Sequence, residues 1–314
     1  MSKDSAQKLV EALAQCLKRA DAFFSKGAFP STEAALRRGL SLLDKAPYEN
    51  VAPIRVQFLR RLGDLQRSEG NYVKAKVHLQ ECLNLSDKAL GRDNIETAFI
   101  LNSIGILGKY SGDYASASRA YKRALRISRR HGLRALEATI YHNLGGLYHE
   151  RHRYSLAEPY ARRSLRLRHS LRGKNHPEVM ADWAAYAAIL QGQRRYLQAQ
   201  RIYERVLKYF ERRGEIYEIA VNEHNLGVLS YRLKDLQKAR AHLSRSLSLK
   251  EKYLGRQHPD YAFTLCSLGV LHLRLGEKET AKKMLTESLA VFQRRLGRKH
   301  AYVSLCRKYM TKLN

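Results

Sequence analysis

The sequence predicts an all-α solenoid built from antiparallel helix pairs, and three observations carry that reading. First, residues 101–125 read as two short helices joined by a turn at Ser111, Gly112 and Asp113, with Ile104 and Gly105 on one helix and Ala117, Tyr121, Ala124 and Leu125 on the other. Neither helix buries its apolar stripe alone. Second, the pattern recurs: Leu62-Gly63, Leu144-Gly145, Tyr186-Ala187, Leu226-Gly227 and Leu268-Gly269 each precede a second helix with Ala at a fixed offset, namely Ala75, Ala157, Ala199, Ala239 and Ala281. Counted from Gly63 through Gly105, Gly145, Ala187 and Gly227 to Gly269, the steps are 42, 40, 42, 40 and 42, the mark of stacked supersecondary units. Third, 44% of the residues are apolar while only six are proline and no Ser/Gly-rich tract occurs, so the whole chain is expected to be ordered.

Residues 1–50 read as a degenerate N-terminal helix pair that caps the array. Leu9, Leu13, Cys16, Leu17 and Ala20 keep helical periodicity, Gly27-Ala-Phe29 imitates the turn, and Ala35, Leu36, Leu42 and Leu43 continue on a second helix. Pro47 and Pro53 are expected to break the chain before Ile54. Six repeats then fill residues 54–300, and residues 301–314 form an amphipathic helix that covers the last core. At the ends of the second helices, Leu-Gly supplies a left-handed C′ position, while Pro177 and Pro259 fall where a first turn lacks hydrogen bonds anyway. His176 and His258 read as caps or loop contacts at these junctions.

A small residue in helix A, a Gly-Asp-Tyr-like turn and an Ala in helix B together resemble the tetratricopeptide repeat over about residues 56–300. The steps exceed that family's usual 34 residues by roughly two helical turns. Leu254-Gly-Arg-Gln-His258-Pro259, Leu171-Arg-Gly-Lys-Asn-His176-Pro177 and the partial forms at Leu90 and Leu296 look like the kinesin light chain subclass, as does Ala157-Glu-Pro-Tyr160. The resemblance implies a right-handed superhelix whose A helices line the concave face. Gly63, Gly145 and Gly227 stand 82 apart, as do Gly105, Ala187 and Gly269, so the array is inferred to have grown by copying pairs of repeats. Residues 1–45 lack sustained heptads, so the module is expected without a motor-binding coiled coil.

The four cysteines, Cys16, Cys82, Cys266 and Cys306, show no CxxC spacing and read as reduced, buried thiols, which points to a cytoplasmic location. Residues 1–25 interleave charges with no apolar core, and the longest apolar run, residues 183–190, is far shorter than the roughly 20 residues of a membrane span. Neither a secretory leader nor a span is expected. Fifty-eight Lys and Arg against 29 Asp and Glu give a net charge of +29, a field that attracts acidic peptides, nucleic acid or other anions.

No Walker loop, dinucleotide fingerprint, GxSxG or HExxH occurs. His142, His149, Glu150 and His152 are the nearest approach to a metal site, but two histidines on one helix face need a third ligand and outer support. No enzyme, metal or cofactor is expected.

Given the resemblance, helix A positions outside the core become the candidate ligand contacts. In register with Gly63 they are Arg60, Asn102, His142, Ala184 and His224; Arg61, Asn143 and Asn225; and, one turn on, Arg67, Lys109, Tyr110, His149, Tyr231, Arg232 and Arg274, with Ala188 beside Ala184. Cations, amides and aromatics of this kind hydrogen-bond an extended main chain and pair with its carboxylates. The small face of Ala181, Ala184, Ala185 and Ala188 reads either as an anchor pocket or as closer helix packing. Residues 151–174 carry eight Arg or Lys against the single acid Glu158, and the resemblance puts them on the convex side, where they lead as a second, electrostatic site. The expected function is a non-catalytic protein-interaction scaffold or adaptor that binds an acidic or amphipathic partner segment in its concave groove. The alternative is a basic helical repeat associated with nucleic acid, for which the sequence offers charge but no base-reading pattern.

Overall fold

A computed structural model describes residues 3–46, 51–298 and 300–313, without the side chains of residues 3–6. Pro47, one of the expected breaks, lies outside the described residues. Among them the structure is helical throughout, with no strand. The chain divides after Gly132 into two compact units.

The first unit holds α1 (Lys3–Ser25), α2 (Phe29–Asp44), α3 (Ala52–Ser68), α4 (Tyr72–Leu90), α5 (Ile95–Ser111) and α6 (Tyr114–Arg130). Pro53 sits inside the first turn of α3 rather than ahead of it, because a residue without an N–H costs nothing there. Consecutive helices pack in pairs around Leu13, Leu36, Leu43, Phe58, Leu62 and Leu65, all almost fully buried. The small residue of helix A has a steric cause: a Cβ at Gly105 would lie 2.4 Å from the ring of the fully buried Tyr121.

The second unit holds α7 (Arg134–Glu150), α8 (Tyr154–Arg172), α9 (Pro177–Gly192), α10 (Tyr196–Arg213), α11 (Ile216–Arg232), α12 (Leu236–Leu254), α13 (Pro259–Arg274), α14 (Lys278–Leu296) and α15 (Ala301–Met310). Its central core gathers Ala187, Ile189, Leu190, Tyr203, Val206 and Phe210. At its end, Val303 and Cys306 of α15 bury themselves on Phe292, Leu285 and Cys266. Cys266 and Cys306, 40 residues apart in sequence, stand 3.2 Å apart as thiols.

The turns between helices A and B repeat the sequence period in their backbone. Gly70, Gly112, His152, Arg194, Lys234 and Gly276 all have positive φ, and the three that are not glycine hold φ of 55°, 63° and 66°. The B-to-A junctions correct one expectation. Gly91, Gly173, Gly255 and Gly297 have φ of 78–87° but ψ of 157–163°, not the left-handed helical ψ expected of a C′ residue. The chain leaves helix B extended, in a region open essentially to glycine alone. It then enters the next helix through a side-chain cap. The Nδ1 atoms of His176, His258 and His300 accept from the backbone N–H of Glu178, Asp260 and Tyr302 at 3.2, 3.0 and 3.2 Å, as Asn94 accepts from Thr97 at 2.9 Å.

Side chains repeat at the 82-residue step as well. Cys82 donates to the Val56 carbonyl, Ser164 to Ala138 and Ser246 to Ala220, at 3.1, 2.8 and 2.7 Å.

Candidate functional site

In each unit successive A helices touch: α3 meets α5, and α7, α9, α11, α13 and α15 meet in turn. The B helices show no comparable contact with one another, so the A row lies on the inside of the curve and presents its wet side chains together.

In the first unit the arginines of this face are paired with carboxylates, although Arg60 Nε and Arg67 Nε have no hydrogen-bond partner among the described residues. Asp64 takes Arg60 at 3.3 Å, Arg67 at 3.9 Å and the Ser103 hydroxyl at 3.0 Å. Arg61 forks onto Asp21 of α1 at 2.8 and 3.0 Å. The Arg60 guanidinium also covers the Phe99 ring, and the Arg67 guanidinium and Lys109 ammonium approach Tyr110 at 5.9 and 4.6 Å. Asn102 is 9% exposed and is part of the wall.

In the second unit two homologous networks, 82 residues apart, brace the A row. Asp182, buried on α9, accepts from His142 Nδ1 at 2.6 Å, Ser164 Oγ at 2.8 Å and Arg168 Nε at 2.9 Å. In the second copy Thr264 stands for the aspartate and Lys250 for the arginine: Lys250 Nζ donates to Thr264 Oγ1 at 3.0 Å, and His224 Nδ1 lies 3.0 Å from that hydroxyl. Burial holds the His224 imidazole well below its ordinary pKa, and the neighbouring Lys250 charge adds to the effect. Burial likewise pulls Lys250 down, against the attraction of Asp260.

His142 and His224 are therefore braces of the inner wall. Asn143 is buried and Asn225 half-buried. His149 packs its ring on Tyr154 at 5.5 Å. Ala184 belongs to the core cluster and Ala188 packs against it, so close packing describes this face. Tyr231 is half-buried, while Arg232 and Arg274 are exposed and have no carboxylate within ion-pair distance among the described residues.

Three contributors were missed by the sequence reading. Tyr302 of α15 donates its hydroxyl to Glu150 at the end of α7 at 2.5 Å, and its ring packs tilted against Phe263 with centroids 4.9 Å apart. Tyr309, from the same helix, lies in the electrostatic reach of Tyr231 and Arg232. No periodic signal links residues 152 positions apart, and the sequence pattern marks α15 only as a cap. Glu218 was missed too: half-buried on α11, it has its carboxyl pushed up first by loss of solvent and then by Glu215.

The four residues considered for metal do not converge: His142 is held by Asp182, Glu150 by Tyr302, and His149 and His152 by Tyr154. No group of three or more His, Cys, Asp or Glu suited to a metal ion occurs among the described residues.

The sequence profile of the tetratricopeptide repeat matches residues 55–130, 136–212 and 218–294. The chain belongs to the tetratricopeptide repeat family. Each match spans two helix pairs, the unit that the 82-residue step describes, and the fold is that family's helical-repeat superhelix. No curated protein matches the sequence. Among known structures, NprR in complex with its cognate peptide NprX is similar at TM-score 0.73 and 14% identity, covering 99% of this chain and 85% of that one. A Rap protein complexed with Competence and Sporulation Factor is similar at TM-score 0.70 and 14% identity, covering 98% and 88%. TPR-like repeats of a Podosopora anserina protein described as a kinesin light chain also match, at TM-score 0.45 and 14% identity over 63% of this tetratricopeptide chain and 96% of that one. No helix among the described residues is long and apolar enough to cross a membrane.

Proposed function

We propose that this tetratricopeptide chain is a non-catalytic interaction scaffold that binds an acidic or amphipathic partner segment along its A-helix face. The observation that carries the reading is the pair Arg232 and Arg274. They are one repeat apart at the ends of α11 and α13, exposed, and without a described carboxylate partner, whereas Arg60, Arg61 and Arg67 already have theirs. Unpaired arginines on a rigid row suit carboxylates on an extended ligand. In the same unit Asn225 and Tyr231 add amide and ring contacts, and the first unit separately offers the Lys109 cation and the Tyr110 ring. The peptide held by NprR, a structure of the same fold, agrees with this use of the scaffold. Four free cysteines agree with a reducing, cytoplasmic setting.

The test is a binding screen of acidic peptides against the intact chain, followed by Arg232→Glu with Arg274→Glu. The double reversal is expected to weaken the best peptide about tenfold or more. Unchanged affinity moves the site away from these helix ends.

A further inference from the structure

The B-helix side of the second unit holds a cavity of about 570 Å³ between α8 and α10, within the size range of ligand pockets. Its floor is apolar: Val179, Met180 and Trp183 reach up from α9 between the two B helices, flanked by Leu165 and Tyr209. The Tyr209 hydroxyl donates to the Asn175 carbonyl at 3.1 Å and fastens α10 to the loop before α9. The rim is cationic, with Arg166 and Lys174 on one side and Arg205, Lys208 and Arg212 on the other. No carboxylate lines the cavity, and none of these five cations is in an ion pair with a described residue. Other arginines of the same helices are paired: Arg162 with Glu158 at 2.8 Å, Arg168 with Asp182 at 2.9 Å, and Arg213 with Glu215 at 2.5 Å.

We propose that this cavity binds an acidic peptide segment through one bulky aliphatic side chain, as a second site that does not depend on the A-helix face. An apolar floor inside a ring of unpaired cations matches an apolar side chain with carboxylates on either side of it. The aromatic faces distinguish this ligand from a nucleic acid strand. Single-strand binding uses open rings on which bases stack, but here the Arg205 guanidinium lies over Trp183 at 4.6 Å and that of Arg213 over Tyr209 at 5.6 Å. Both platforms are taken. A phosphate backbone would satisfy the rim and leave the half-buried Leu165 without an apolar contact, above Val179 and Met180, which are already buried.

Trp183 is the only tryptophan of the chain, so its emission reports this cavity directly. The probe is an acetylated Glu-Glu-Glu-Leu-Glu-Glu-Glu peptide added to the intact protein at about physiological salt, read by Trp183 emission and by anisotropy of a fluorescein-labelled copy. A saturable change in both signals is expected. The same peptide with Ser in place of Leu is expected to bind roughly tenfold more weakly or worse, since it has no side chain to bury. Arg205→Glu with Lys208→Glu, both exposed, is expected to weaken the Leu peptide about tenfold. Arg232→Glu with Arg274→Glu should leave the Trp183 response in place, which separates this site from the A-helix face. Equal binding of the Leu and Ser peptides, an undiminished affinity in the Arg205/Lys208 variant, a response abolished by the Arg232/Arg274 variant, or tighter binding of a ten-nucleotide thymidine strand overturns the proposal.

Discussion

His224 and Thr264 show how one residue pair sets a pH limit on this protein. The buried imidazole accepts or shares the Thr264 hydroxyl proton, while Lys250, also buried, already donates to the same oxygen. Protonating His224 would place a second cation beside Lys250 in a site from which water is excluded, which is why its pKa falls. The sign follows from linkage. A base whose folded pKa lies below its unfolded value binds its proton more readily in the unfolded chain, so its contribution to stability is complete above about pH 6.5 and is lost as the pH drops below it. Urea midpoints are therefore expected to fall between pH 7.5 and pH 5, and His224→Gln should flatten that dependence. An identical slope in the variant would assign the effect to other groups. The companion network around Asp182, where His142 and Arg168 both face a carboxylate, has the opposite balance of charge.

At the scale of an element, the A–B turns hold strain that the sequence does not relieve. His152, Arg194 and Lys234 sit in left-handed backbone that other repeats give to Gly70, Gly112 and Gly276. A side chain there costs roughly 1–2 kcal/mol, partly offset because glycine loosens the unfolded chain. Arg194→Gly and Lys234→Gly are each expected to stabilise by about 0.5–1 kcal/mol and, at turns one repeat apart with no shared partner, to add. Gly276→Ala should cost about 1 kcal/mol. Thermal midpoints of the three variants and of the glycine pair check both signs. The C-terminal helix α15 is a second element with two uses. It seals the last core through Val303 and Cys306, and it reaches α7 through Tyr302.

At the scale of the whole molecule, the net charge of +29 dominates encounters with anions. Duplex and single-stranded oligonucleotides are expected to bind weakly, without sequence preference, at low salt. They should be released near physiological ionic strength, since binding through six to ten phosphates loses roughly 10³–10⁵-fold between 50 and 200 mM salt. An acidic peptide that also buries an apolar side chain should keep a salt-resistant part of its affinity. Filter binding and anisotropy across that salt range read the difference. Retention of one nucleic acid form or sequence at 200 mM would reverse the order of the two functional readings.

The sequence by itself determined the helical pairs, their steps of 42 and 40 residues and the 82-residue copy, because small residues at fixed offsets record where two helices must approach. It singled out His176 and His258 as caps or loop contacts and suggested the A-helix columns, because local hydrogen bonds and helical faces have short periods. Tertiary structure alone decided which of those columns is available. Arg61 finds Asp21 forty residues away, Ser103 and Arg60 converge on Asp64, and Glu150 is taken by Tyr302, while Arg232 and Arg274 keep no described carboxylate partner. It also decided the cavity over Trp183, whose floor comes mainly from one helix and whose rim comes from two others. Charge pairing and concavity depend on which distant side chains meet, and a one-dimensional period carries no record of that.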